Sequence, residues 1–205
     1  MQEVEDSYKT IKEPVTDVLF KEKKSKFISY AYPISTEEEV KPIIETLQLQ
    51  YPNANHVCYA WQLGVKNVRY RANDDGEPNN SAGMPIYGQL QAFELTNTLV
   101  AVVRIFGGVK LGVGGLISAY KTAAQLALEE AKICTQYQQS SLQLQFTYEQ
   151  MNNVMRLIKK HQLDISAQRL EMDCSITLQF RTSKLAAVKE DLSLLRKVKV
   201  KILTP

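Results

Sequence analysis

Residues 104–120 read RIFGGVKLGVGGLISAY and hold five of the chain's nine glycines; all nine lie between Gly64 and Gly115. The apolar run of residues 99–106 enters this stretch and reads as a strand buried on both faces. A helical pattern leaves it, with Leu116, Ala119, Tyr120, Ala123, Leu126 and Ala127 on one side. That side is alanine-rich and suits close approach to a sheet. Strand, glycine-rich turn and helix form the setting in which backbone amides cradle an anion. The known letter patterns are absent, however. A P-loop needs Lys-Ser/Thr after its last glycine, and here Lys110 precedes Gly112. The dinucleotide fingerprint needs a third glycine where Ile117 stands. Two readings follow: the glycines supply positive φ and close packing, or the turn presents amides and Lys110 to phosphate. Five glycines exceed the needs of one turn, which favours the second.

Upstream, residues 15–20 and 27–34 predict a hairpin around the charged link KEKKSK. Ser35 opens a predicted helix, with Glu38 completing a capping box and Pro52 ending it. Residues 56–63 predict a strand, in which Trp61 alternates with Tyr59 as a core residue. Residues 69–88, RYRANDDGEPNNSAGMPIYG, lack an apolar period and predict a long functional loop. Pro85 fits the first turn of a helix continued by Ile86, Leu90 and Phe93.

The pattern resets near residue 138. Leu142, Leu144, Phe146 and Tyr148 alternate, a helical face follows, and Met172, Cys174, Ile176, Leu178 and Phe180 alternate again. A second helical face and a closing strand complete the order β-α-β-β-α-β, the split βαβ or ferredoxin-like arrangement. The polar stretch CTQYQQSS marks the boundary, giving domains of residues 1–134 and 135–205.

The totals bound the function. The chain has 205 residues and is 44% hydrophobic, enough for one large or two small domains with a real core. No apolar run reaches the roughly 18 residues a membrane span needs, and the charged opening is no secretory signal. Cys58, Cys134 and Cys174 are odd in number and widely spaced, so neither a disulfide framework nor a zinc set is indicated. A reducing, cytoplasmic location is the default expectation, and no cofactor or metal is indicated. Net charge is only +3, but its distribution is uneven. Residues 1–134 hold 14 basic and 16 acidic side chains, and residues 135–205 hold 11 and 6. Between Glu94 and Glu129 there is no acid, only Arg104, Lys110 and Lys121.

Taken in order and spacing, HVCYAW (56–61), DDGEPNNSAGMPI (74–86) and the glycine stretch resemble the Impact/YigZ family. The resemblance covers both halves of the chain. Here Ile105 stands in place of the family's usual Tyr, Ser118 in place of Arg, and Asn79-Asn80-Ser81 where Ser-Gly-Thr is common. The resemblance implies an α+β chain. Its N-terminal domain is like ribosomal protein S5 domain 2 and its C-terminal domain is ferredoxin-like, the pair similar to the last two domains of elongation factor G. Eukaryotic relatives carry an additional N-terminal domain and regulate translation by competing for an activator of a stress-responsive kinase. A chain opening at Met1 resembles the short bacterial form.

Two functions from different classes follow. The first is a non-enzymatic RNA- or ribosome-binding module in translation or its regulation, with a translation-machinery protein as a further partner class and no membrane. Its contacts are Arg104, Gly107, Gly108, Lys110, Gly112, Gly114, Gly115 and Lys121 at the turn, and Lys197, Lys199 and Lys201 on one face of the last strand. The second is a hydrolase-type enzyme, metal-dependent or not, using His56, Cys58, Asp74, Asp75 and Glu77. His56 and Cys58, at i and i+2, share a strand face and allow a thiolate–imidazole pair. The carboxylates offer oxygen ligands or acid–base groups. The acidic loop is also expected to order against Arg104 or Lys110.

Overall fold

The computed structural model describes residues 6–204. It falls into two compact units, Tyr8–Gln136 and a second that joins residues 6–7 to residues 137–204. Each combines antiparallel strands with helices, so the chain is α+β.

The first unit contains β1 (Ser7–Ile11), β2 (Val15–Glu22), β3 (Ser25–Pro33), α1 (Val40–Gln50), β4 (His56–Leu63), β5 (Arg69–Asn73), α2 (Gly83–Ala92), β6 (Thr98–Ile105), α3 (Gly112–Glu130) and β7 (Ile133–Tyr137). Five strands form one antiparallel sheet in the order β2-β3-β6-β4-β5. Central β6 explains its own sequence. Val100 and Val102 point into the core shared with α2 and α3, while Leu99, Ala101 and Val103 point into the core shared with α1. Both faces are covered, so apolar residues run without alternation. Each buried Val or Leu contributes about 1.5–3 kcal/mol by leaving water.

The hairpin β2–β3 closes more tightly than its charged link suggests. Only Lys23 and Lys24 form the turn, both with positive φ, at 43° and 68°. Such a two-residue turn matches the strand twist, although glycine or asparagine is its usual occupant. The predicted capping box forms one residue later. Glu39 accepts the amides of Thr36 and Ser35, each at 2.8 Å.

Two expectations are corrected. The long loop of residues 69–88 is interrupted by β5, which pairs with β4 so that Arg71 faces Trp61. β5 is an edge strand with largely exposed residues, so no apolar alternation announced it. The stretch read as a boundary linker carries β7, which pairs with β1 in a two-stranded sheet. Its residues are mostly exposed, so CTQYQ has no periodic signal.

The second unit contains β8 (Gln139–Thr147), α4 (Met151–His161), β9 (Asp164–Leu170), β10 (Asp173–Arg181), α5 (Leu185–Ser193) and β11 (Lys199–Thr204). Its sheet runs β11-β8-β10-β9, antiparallel throughout. Leu142, Leu144, Phe146, Cys174, Ile176, Leu178 and Phe180 form one buried face against Val154, Leu157, Ile158, Val188 and Leu192 of the helices. Asp6 ties the chain's opening to this unit. Its carboxylate accepts Arg181 Nη2 at 2.7 Å and the Ser183 amide at 2.8 Å.

Candidate functional site

A cleft of about 410 Å³ opens where β6 passes through the glycine turn into α3. Asn55, His56, Glu77, Arg104, Phe106 and Lys110 are among the residues that line it, with Gly112 and Val113 of the α3 first turn. Local structure fixes these groups. The Asn55 amide donates to the Arg104 carbonyl at 2.9 Å, and its side-chain Oδ1 accepts the Phe106 amide at 2.8 Å. That clamp holds the end of β6 against the start of β4 and leaves the Phe106 ring partly exposed on the rim.

Gly107 has a structural reason to be glycine. An added Cβ would stand 2.0 Å from the Lys24 carbonyl carbon, so the turn is pressed onto the tip of the β2–β3 hairpin. Gly114 has none: an added Cβ meets nothing within 4 Å, and its φ is ordinary. No side chain caps the start of α3, and no acid lies in its first turn. The free amides and the helix dipole leave that end electropositive.

The floor is a buried polar cluster. Arg104 Nη1 donates to Glu77 Oε1 at 2.5 Å. The two side chains are only 8% and 4% exposed, so the pair is largely withdrawn from bulk water. Tyr120 Oη donates to the same oxygen at 2.8 Å. Burial, together with neighbouring Cys58 and Glu77, pushes the Tyr120 hydroxyl far above its ordinary pKa, so it remains a donor. The Arg104 guanidinium carbon lies 5.7 Å from the Phe27 ring centre and 5.6 Å from that of Phe106, within cation–π range.

The acidic loop is organised by its own carboxylates. Asp74 accepts three backbone amides, those of Asn80, Ala82 and Gly83, at 2.8, 3.0 and 2.8 Å. It thereby serves the otherwise uncapped beginning of α2. Asp75 Oδ2 accepts the Val57 amide at 2.6 Å. These oxygens are occupied by the backbone, and among the described residues no group of three or more His, Cys, Asp or Glu side chains is arranged to hold a metal. The loop does order against Arg104, but through Glu77 rather than Asp74 or Asp75.

His56 and Cys58 lie side by side without forming a nucleophilic pair. His56 Nδ1 is 2.7 Å from the Asp75 carbonyl, which makes Nδ1 the donor, and Nε2 faces Glu77 Oε1 at 3.9 Å. Cys58 Sγ is buried 3.0 Å from the Asp74 carbonyl and 3.3 Å from Tyr120 Oη. Burial pushes its thiol pKa well up, so it is a thiol rather than a thiolate.

The expected phosphate contacts separate in the structure. Lys110 and Gly112 line the cleft, as does Arg104, although Arg104 is committed to Glu77. Gly108 and Gly114 are exposed, and Gly115 sits against Leu111. Lys121 is exposed further along α3 and does not line the cleft. In the second unit β11 begins only at Lys199, so Lys197, with φ of 66°, precedes the strand, yet it lines one groove with Lys199 and Arg169. Lys199 pairs across the sheet with Gln145, Gln145 with Ser175, and Ser175 with Arg169. Arg169 thus joins a polar row that the sequence did not disclose. Asn55, Phe106 and Tyr120 were also missed as site residues. Only Phe106, an aromatic directly before two glycines, carried a legible signal.

Comparison with known proteins places this cleft within a family. The Impact N-terminal domain family matches residues 23–128, a span that contains every residue lining the cleft. An IMPACT family member of Haemophilus influenzae is 30% identical over 184 residues, covering 88% of this chain and 89% of that protein. The IMPACT family member YigZ of Escherichia coli is 33% identical over 147 residues, covering 71% of this chain and 72% of that one. A crystal structure described as that of a hypothetical protein aligns over 98% of both chains, with 25% identity and a TM-score of 0.69. With a family match over half its length and a relative aligned nearly end to end, the chain belongs to the IMPACT family.

Proposed function

We propose that the chain is a non-enzymatic RNA- or ribosome-binding module acting in translation or its regulation. One observation carries the reading: Lys110 and the uncapped first turn of α3 share a cleft with the partly exposed ring of Phe106. A cation and free amides suit a phosphate, and an exposed ring suits an unpaired base. Gly114, which the fold does not require, lets a backbone approach the helix start closely. The translation setting rests on family membership and the relatives that the resemblance brings with it.

In this reading the chain divides near residue 135. The first domain is like ribosomal protein S5 domain 2 and the second is ferredoxin-like, as in the last two domains of elongation factor G. The order β8-α4-β9-β10-α5-β11, with the sheet order β11-β8-β10-β9, supports the second assignment. The row from Lys199 to Arg169 gives that domain a polar, cationic sheet face of its own.

The test is salt-titrated binding of single-stranded RNA, with ribosome co-sedimentation beside it. Lys110→Glu should weaken binding and reduce the log–log salt slope by about 0.7, one phosphate contact on a single strand. Phe106→Ala should cost about 1–3 kcal/mol of binding. Binding unchanged in both folded variants would remove the cleft from the interface.

A hydrolase-type enzyme is the second reading, favoured by His56 Nε2 standing at the cleft without a hydrogen bond among the described residues. Its test is a hydrolytic screen in which His56→Gln abolishes turnover while RNA binding stays intact.

A further inference from the structure

Glu77 leaves one oxygen unused at the floor of the cleft. Its Oε1 accepts both Arg104 and Tyr120. Among the described residues no donor reaches Oε2, yet that oxygen is not sealed from solvent. The side chain is only 4% exposed and is among those lining the cleft. A carboxylate oxygen this deep is costly unless a donor reaches it. Arg104 and Tyr120 fix the orientation of the carboxylate, and a protonated Tyr120 keeps donating to Oε1. Oε2 therefore calls for a hydrogen-bond donor from the ligand and rejects an acceptor.

The other cleft groups say where that donor sits on a nucleotide. A phosphate at Lys110 and the α3 amides, with a base against Phe106, leaves the sugar as the moiety between them. We infer that Glu77 Oε2 accepts a hydrogen bond from the ribose 2′-hydroxyl of a bound RNA strand and so distinguishes RNA from DNA. This rests on the RNA-binding reading above and adds a specificity determinant to it. The 2′-hydroxyl is the group by which a protein separates the two nucleic acids, and an acidic side chain on a ribose hydroxyl is an established pairing in dinucleotide sites. Deoxyribose lacks the donor. A 2′-O-methyl group removes the donor and turns an acceptor oxygen towards the carboxylate.

The experiment compares a labelled short oligouridylate, its deoxy counterpart and its 2′-O-methyl counterpart, all on the wild-type chain at one salt concentration. Hydrogen bonds to charged groups predict that both modified strands bind roughly tenfold or more weakly. In Glu77→Gln the preference should shrink towards equality while the salt slope stays unchanged. The wild-type panel decides the matter even where Glu77→Gln does not fold. Equal binding of the three strands overturns the inference and leaves nucleic-acid binding standing. Binding of none overturns both. A preference that survives in folded Glu77→Gln removes Glu77 as its source.

Discussion

Arg104 and Glu77 form a buried ion pair at 2.5 Å that joins the central strand to the acidic loop. Desolvation offsets most of the attraction between two such charges. Losing one partner is different, because the other is left buried and uncompensated. Glu77→Ala should therefore destabilise this unit by about 3–5 kcal/mol, and Glu77→Leu combined with Arg104→Met by much less. Urea unfolding followed through Trp61, the single tryptophan and a buried core residue of the same unit, measures both. Additive losses in the double variant would mean that the pair is not coupled.

The glycines of the turn differ in what they do, and substitution separates them. Gly107→Ala forces a Cβ onto the Lys24 backbone, where no flexible side chain can yield. Its expected cost is about 3 kcal/mol or more, beyond ordinary overpacking. Gly114→Ala places a methyl in open space within a helix and should stabilise the chain by about 0.5–1 kcal/mol. If an RNA backbone approaches there, the same variant binds RNA more weakly while being more stable. Thermal melts beside binding isotherms show whether the two effects separate.

Much of the fold was legible because its core elements place apolar residues in continuous or alternating patterns. The apolar run of β6, the strand β4 and the alternating strands β8 and β10 announce themselves through side chains that must enter a core. The edge strands β5 and β7 do not, because a mostly exposed strand need not alternate, and five-residue β1 buries only Thr10 and Ile11, which are adjacent and so show no alternation. The residue types that gather at the cleft could be read from sequence, but their contacts could not. DDGE marks an acidic cluster, but sequence does not say which carboxylate meets backbone amides and which meets a cation. Asp74 sits where α2 begins and takes its amides, while Glu77 meets Arg104 across 27 residues. Tyr120 read as one more core position on α3, and only the folded chain shows its hydroxyl pointing at Glu77.

The structural role of Asp74 has a quantitative consequence. Asp74→Ala strips acceptors from three amides at the start of α2 and should cost about 2 kcal/mol or more. Asp74→Asn keeps one acceptor oxygen and should lose less. Chemical denaturation of both variants, with and without added divalent metal, gives the answer. A metal-dependent stability present in the wild type and lost in both variants would restore Asp74 as a ligand.

The turn at Lys23 and Lys24 carries avoidable strain. Both residues adopt left-handed backbone that L side chains disfavour by about 1–2 kcal/mol each. Replacing the pair with Asn-Gly, the preferred occupants of such a turn, should stabilise the unit by about 1 kcal/mol once the extra freedom of unfolded glycine is counted. A rise in the urea midpoint with an unchanged m-value is the expected result. A fall would mean that the lysine side chains hold the tip in place.

Asp6 makes the second unit acid-sensitive. The hydrogen bond from Arg181 is the largest influence on its carboxyl, outweighing burial, and lowers its pKa from the ordinary 3.8 to about 2. A carboxylate depressed in the folded state contributes stability that is fully present above the unfolded pKa. That stability is lost as pH falls through the folded value, here between about pH 4 and pH 2. Arg181 is 43% exposed, so solvent screening reduces the contribution to roughly 1 kcal/mol. Hydrogen exchange of the β8 and β10 amides reports on this unit, whereas Trp61 belongs to the other. In the wild type, protection of these amides should drop across that window. In Asp6→Asn it should start lower and change less, because the group that takes up the proton is gone. Equal acid sensitivity in the two chains would assign the transition to other carboxylates and leave the Asp6–Arg181 contact as a packing feature.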